Sequence, residues 1–116
     1  MKPLYGIKII DLSTLLPGPL ATLILAEAGA EVIKIERMGG EDMRRSPPFI
    51  DGESILFAVL NRGKRSIELD IKSKEGYNRI IELIKTADVI IDQFRLGVME
   101  HLGLDFKKLI KIKPDI

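Results

Sequence analysis

Residues 7–36 read IKIIDLSTLLPGPLATLILAEAGAEVIKIE, and the fold turns on how this stretch is parsed. Ile7 to Leu12 is a run of mostly isoleucine and leucine. A short apolar run without polar alternation suits a strand covered on both faces, as in a parallel sheet. Pro17-Gly18-Pro19 punctuates the chain next, and Leu20 to Ala28 then suits a buried helix closed by Gly29. Glu31 to Glu36 repeats the strand pattern. Strand, helix and strand with short joints make a parallel unit whose crossover is expected to be right-handed.

Outward from this unit the alternation continues. Arg37 to Glu53 interrupts it with glycines, the adjacent prolines Pro47-Pro48 and mixed charge. That composition predicts a long, mobile loop of the kind that often carries function. Ser54 to Leu60 reads as a short helix and Arg65 to Asp70 as a third strand. Ser73 is placed to cap a helix on which Tyr77, Ile80, Ile81 and Ile84 form an apolar stripe. Asp88 to Asp92 gives a fourth strand, and short helices are expected near Gly97–Leu102 and Asp105–Ile112. The predicted class is therefore α/β: one Rossmann-like, open, mostly parallel sheet flanked by helices, spanning residues 1–116. At Ile116 the alternation calls for a further buried strand, so the chain reads as the N-terminal portion of a larger domain.

Composition narrows the function classes. The 116 residues carry 18 basic and 17 acidic groups. A net charge of +1 gives no electrostatic basis for broad binding to nucleic acid or an anionic membrane. The absence of cysteine removes disulfides, cysteine zinc sites and a thiol nucleophile, and fits a reducing cytoplasm. The N-terminus lacks the pattern of a secretory signal. The longest apolar run, Leu20 to Ala26 interrupted only by Thr22, falls short of the roughly 20 residues a membrane span needs. No metal-ligand spacing is present.

Ligands of open parallel sheets bind beyond the carboxyl ends of the strands, so the residues after each strand are the candidates. The turn Ser13 to Pro19 holds a single glycine where a dinucleotide fingerprint needs three. It either approaches a ligand without cradling a pyrophosphate or is simply a tight connection. Glu36 could hold ribose hydroxyls in a nicotinamide-type site, but without that fingerprint a solvated strand end is the better reading. Arg37 should stand at the sheet edge, where a guanidinium stacks on a purine or pairs with phosphate. Arg44, Arg45, Lys64, Arg65 and Lys72 gather near the same edge, although single surface charges mostly serve solvation. Phe94, between Gln93 and Arg95, fits a base-stacking platform or the core equally well. His101, the lone histidine, reads as a surface residue. Asp11, Asp70, Asp88 and Asp92 read as strand-end and cap residues.

Three segments carry a resemblance. PLYGIKIIDLSTLLPGPLATLILAEAGAEVIKIER, LNRGKRSIELDIKSKEG and ADVIIDQFRLGVMEHLGL resemble, in order and spacing, the class III CoA-transferase family. That group includes formyl-CoA and carnitine-type CoA-transferases and the related α-methylacyl-CoA racemases. The resemblance implies that coenzyme A lies along the edge described above. Its contacts would be Leu16, Pro17 and Gly18, then Arg37 beside the adenine, then Leu69 and Lys72, then Gln93, Phe94 and Arg95. A further basic position falls at His101.

The resemblance also implies a reaction in which an aspartate carboxylate exchanges CoA between an acyl-CoA and a carboxylic acid, or, in the racemases, removal of the α-proton by a histidine and acid pair. In both cases the reacting residues are expected downstream of Ile116, leaving no catalytic residue within these 116 and no activity for them alone. The family's interlocked homodimer implies that this portion exposes apolar surface and tends to associate. A non-catalytic nucleotide-binding module and a nicotinamide-dependent oxidoreductase are the readings from other classes.

Overall fold

In the computed structural model, which describes residues 1–116, four parallel strands form the central sheet. They are β1 (Lys8–Asp11), β2 (Glu31–Glu36), β5 (Arg65–Glu68) and β6 (Val89–Ile91), in the spatial order β5-β2-β1-β6. Chain order runs outward from β1 on one side and resumes with β6 on the other. The neighbours β1 and β6 therefore mark the point where the order reverses, the place such sheets use for ligands. Ile10 sits opposite Ile33 on one side and Ile90 on the other, so the middle of the sheet is a continuous isoleucine row.

Both faces of the sheet are covered, which explains why its strands read as apolar runs. On one face Ile10, Leu12, Ile33 and Ile35 meet Ile80 and Ile84 of α3 (Lys74–Lys85) and Leu109 of α5 (Phe106–Ile112). On the other, Ile9 and Val32 pack with Leu25 and Ala26 of α1 (Pro17–Glu27). The Ser73 hydroxyl accepts from the Gly76 N–H at 3.0 Å, so the expected cap of α3 is present. Between α3 and α5, α4 (Val98–His101) supplies a short connecting turn. No helix is long and apolar enough to cross a membrane.

Two expectations need correction. The helix expected from Leu20 begins at Pro17, with proline at the first helical position where its missing N–H costs nothing. It is also not a buried helix: Leu20 and Ile24 are exposed, while Thr22 and Leu23 face inward. Second, Arg37 to Glu53 is not a structureless loop. It contains a 3-10 turn at Asp42–Arg45 and an antiparallel hairpin of β3 (Phe49–Ile50) and β4 (Glu53–Ser54), leading into α2 (Ile55–Leu60). Two of its charges, Glu41 and Arg44, reach inward to Lys34 and Glu36 of β2, which a reading of composition cannot register.

Candidate functional site

The carboxyl ends of all four strands open on one cleft of about 560 Å³. Leu12 and Thr14 enter it from β1, Ile35 to Met38 from β2, Leu69 to Lys72 from β5, and Phe94 from β6. Of the residues singled out in the sequence, Arg37, Leu69, Lys72 and Phe94 line this cleft. Its walls are mixed: aliphatic side chains, the Arg37 guanidinium and the Lys72 ammonium stand beside the carboxylates of Glu36, Glu41, Asp42 and Asp70. Lys72 is shared with an adjoining pocket of about 530 Å³ that also includes Lys74, Tyr77 and His101. His101 itself is exposed.

Leu16 and Pro17 stand exposed at the start of α1, and Arg95 is exposed after β6. Gln93 ties these regions together. Its side-chain oxygen accepts the Gly18 N–H at 2.9 Å and its amide nitrogen donates to the Thr14 carbonyl at 2.5 Å. Gly18 is packed so closely that an added Cβ would lie 2.1 Å from the Ser13 Cβ. The turn after β1 thus needs glycine for close approach, not for an unusual φ.

Four buried charged residues escaped the sequence reading. Asp11 is fully buried and accepts from the Ser13 N–H at 2.8 Å, the Ser13 hydroxyl at 2.5 Å and the Thr22 hydroxyl at 2.5 Å. It is the hub of the turn rather than a simple strand end. Lys64, expected to solvate the entry to β5, is buried instead: it donates to the Pro19 carbonyl and Asn61 Oδ1, each at 2.9 Å, and lies 3.7 Å from Asp11. Burial lowers its pKa to about 8 against the opposing pull of Asp11. Lys34 forms an ion pair with Glu41, both 1% exposed. The available signal was periodicity: Val32, Lys34 and Glu36 share one face of a buried strand, so the two charges had to find partners inside.

Glu36 is also corrected. It is 2% exposed, not a solvated strand end. Arg44 grips it with two hydrogen bonds at 2.7 and 2.6 Å, the Ser66 hydroxyl donates to it, and the Glu41 N–H adds a third direction at 2.9 Å. Burial raises its pKa, but Arg44, Ser66 and the Glu41 N–H outweigh that and hold it down to about 2. With its oxygens engaged, Glu36 has no capacity left for ribose hydroxyls. Arg44 in turn stacks 3.8 Å from the Phe57 ring centre and is spent on structure. Arg37 keeps a lighter engagement: its Nε donates to the Gly40 carbonyl at 3.2 Å, it pairs with exposed Asp42, and it remains 61% exposed. Asp70 and Asp92 accept the N–H groups of Lys72 and Phe94, two residues on, at the strand ends expected of them, while Asp88 accepts the N–H of Lys8, 80 positions away; none of the three caps a helix.

Comparison with known proteins decides the family. The model of CoA-transferase family III matches residues 4–116. The chain belongs to CoA-transferase family III. It is similar to succinyl-CoA:glutarate CoA-transferase of Mus musculus, 43% identical over all of this chain and 27% of the relative. It is also similar to acetyl-CoA:oxalate CoA-transferase of Acetobacter aceti, 42% identical over 97% of this chain and 29% of the relative. Among solved structures, a CAIB/BAIF family protein from Brucella suis superposes with a TM-score of 0.89 at 38% identity, over 96% of this chain and 31% of that one. The chain thus spans under a third of the length of these family members. A putative betaketoacyl-ACP reductase, at TM-score 0.52 and 11% identity, shows a shared fold alone.

Proposed function

We propose that these residues supply the CoA-binding surface of a CoA-transferase, which moves CoA from an acyl-CoA to a carboxylic acid. The observation that carries this reading is the cleft itself. In a chain of this family, Arg37, Leu69, Lys72 and Phe94, drawn from three different strand ends, converge on one cavity at the carboxyl edge of the sheet. Arg37 and Phe94 offer a guanidinium plane and an aromatic face for adenine, and Lys72, with His101 beside it, offers charge to phosphate. Leu16, Pro17 and Gly18 would present the turn to the pantetheine arm, with Gln93 holding that turn in place and Arg95 at its rim.

The transfer chemistry we assign to an aspartate outside residues 1–116. Its carboxylate attacks the thioester carbonyl and expels CoA thiolate, forming a mixed anhydride. The thiolate then attacks the enzyme's own carbonyl, releasing the donor acid and leaving an enzyme-linked CoA thioester. The acceptor acid reverses both steps and departs as the new acyl-CoA. These residues keep CoA bound between the two halves, so that the thiolate is neither lost nor protonated by solvent. An acyl-CoA racemase would use the same CoA surface, but the relatives named above are transferases, which favours transfer.

We further propose that the whole protein works as a homodimer covering the exposed apolar positions of α1 and α2.

Titration calorimetry with CoA tests the reading. Arg37→Ala should weaken binding about ten-fold, and NAD should bind more weakly than CoA. Equal affinity of parent and variant for CoA, or a preference for NAD, would count against it.

A further inference from the structure

The buried Lys34–Glu41 pair has a second attachment that ion pairing does not require. Glu41 Oε1 accepts the backbone N–H of Leu15 at 2.9 Å, across 26 positions of sequence. The Lys34 ammonium, bound to the other side of Glu41, donates to the Ser13 carbonyl at 3.1 Å. Two backbone groups of the turn after β1 are thus held by one charge pair rooted in β2 and the segment that follows it. Leu15 needs such a hold: its φ of 65° lies in the left-handed region. A leucine persists there only when its surroundings over-determine it. The residue is 44% exposed, so packing alone does not fix it. Glu41 lines the same cleft as Arg37, four positions before it, and as Thr14, the neighbour of Leu15.

We propose that Lys34 and Glu41 are positioning residues for the ligand cleft: they hold Leu15 in its left-handed conformation and set the path of Leu16 to Gly18 relative to the Arg37 wall. The part of this that concerns CoA rests on the function proposed above; the part that concerns the turn does not. The pair makes one rigid frame of two walls drawn from different strand ends. A ligand bridging them then meets a preformed gap instead of ordering a loop on binding.

Amide hydrogen exchange by NMR reads the turn directly. In the parent, the Leu15 N–H should exchange far more slowly than other amides of exposed turns; exchange at the rate of an open loop would overturn the proposal without any variant. Lys34→Met/Glu41→Leu replaces the pair by apolar groups of similar size, a change that buried ion pairs often tolerate. It should abolish Leu15 protection, leave the Ile10 and Ile33 amides protected, and weaken CoA binding about ten-fold or more.

Lys34→Met/Glu41→Gln, which returns an acceptor oxygen to Leu15, should recover protection and bring affinity back to within about three-fold of the parent. Retained protection in the leucine variant, or lost protection with unchanged CoA affinity, would overturn the positioning role. If the parent binds no CoA, the functional reading fails, while the exchange rates still decide whether the pair holds the turn.

Discussion

The backbone N–H of Gly18 points at the side-chain oxygen of Gln93, 2.9 Å away, and so fastens the start of α1 to the segment just after β6, the neighbour of β1 in the sheet. The contact spans the point where strand order reverses, and the Thr14 carbonyl is tied to the same side chain. Gln93→Leu removes both attachments and should cost about 1–2 kcal/mol in chemical denaturation. Gly18→Ala is harsher, because its Cβ would meet Ser13 and Gln93 at 2.1 and 2.6 Å. A loss of about 2–3 kcal/mol is expected, together with weaker CoA binding. A Gly18→Ala protein as stable as the parent would show that the turn is not packed as described.

Glu36 sets an acid limit on stability. Its pKa is held down to about 2 from 4.5, so between these values the unfolded chain binds a proton that the folded one refuses. Stability from this group is complete above pH 4.5 and is lost as pH falls toward 2. The loss is on the order of 3 kcal/mol. Glu36→Gln should be destabilised at pH 7, with its deficit shrinking as pH drops through this window. Thermal denaturation of the pair at pH 7, 5, 4 and 3 measures this; a deficit constant across that range would exclude the linkage.

The strands and the α3 stripe were legible because each obeys one local rule: apolar runs for strands covered on both faces, and helical spacing for Tyr77, Ile80, Ile81 and Ile84. The edge of the sheet was legible by the same route, which is why Arg37, Lys72 and Phe94 could be named before their convergence was visible, whereas Leu69 came from the family resemblance alone. What local rules could not show was which partners the interior charges find. Glu36, Arg44 and Lys64 read as solvating residues, Lys34 and Glu41 drew no reading, and Arg37 to Glu53 read as a loop, because the partners lie up to 53 positions away, as Asp11 does from Lys64. Pairing at that range is set by the closed fold, and one sequence holds no record of it.

His101 shares its pocket with Lys72 and Lys74. If that pocket takes a phosphate of CoA, a guanidinium, with its planar fork of donors, should serve better than an imidazole. His101→Arg should tighten CoA binding about three- to ten-fold at pH 7.5 and steepen its salt dependence. His101→Ala should weaken it by less. Calorimetry at two salt concentrations distinguishes these effects, and an arginine variant with no gain would remove His101 from the binding surface.

Leu20 and Ile24 repeat at helical spacing on the outer side of α1, and Leu56 and Val59 are exposed on α2. Apolar positions of this kind on one side of a small domain favour association. Light scattering should show the average mass of the protein rising with concentration, and Leu20→Lys/Ile24→Lys should suppress that rise without lowering the thermal midpoint. A parent that stays monomeric over the same range would argue against a covered surface here.

Lys64 predicts an unusual alkaline response. Burial drives its pKa down to about 8 from 10.5, so the folded protein releases this proton well before the unfolded chain does. Between pH 8 and 10.5 the unfolded state binds more protons, and the contribution of Lys64 to stability therefore rises with pH. Below pH 8 the protein carries the full cost of a buried ammonium, only partly offset by Asp11 at 3.7 Å. Lys64→Met keeps the length of the side chain and removes the charge. The stability difference between variant and parent should move in the parent's favour by about 1–3 kcal/mol from pH 7.5 to 10. Urea unfolding at several pH values measures it. A difference that moves toward the methionine variant instead would mean that Lys64 gains more from Asp11 than it loses by leaving water.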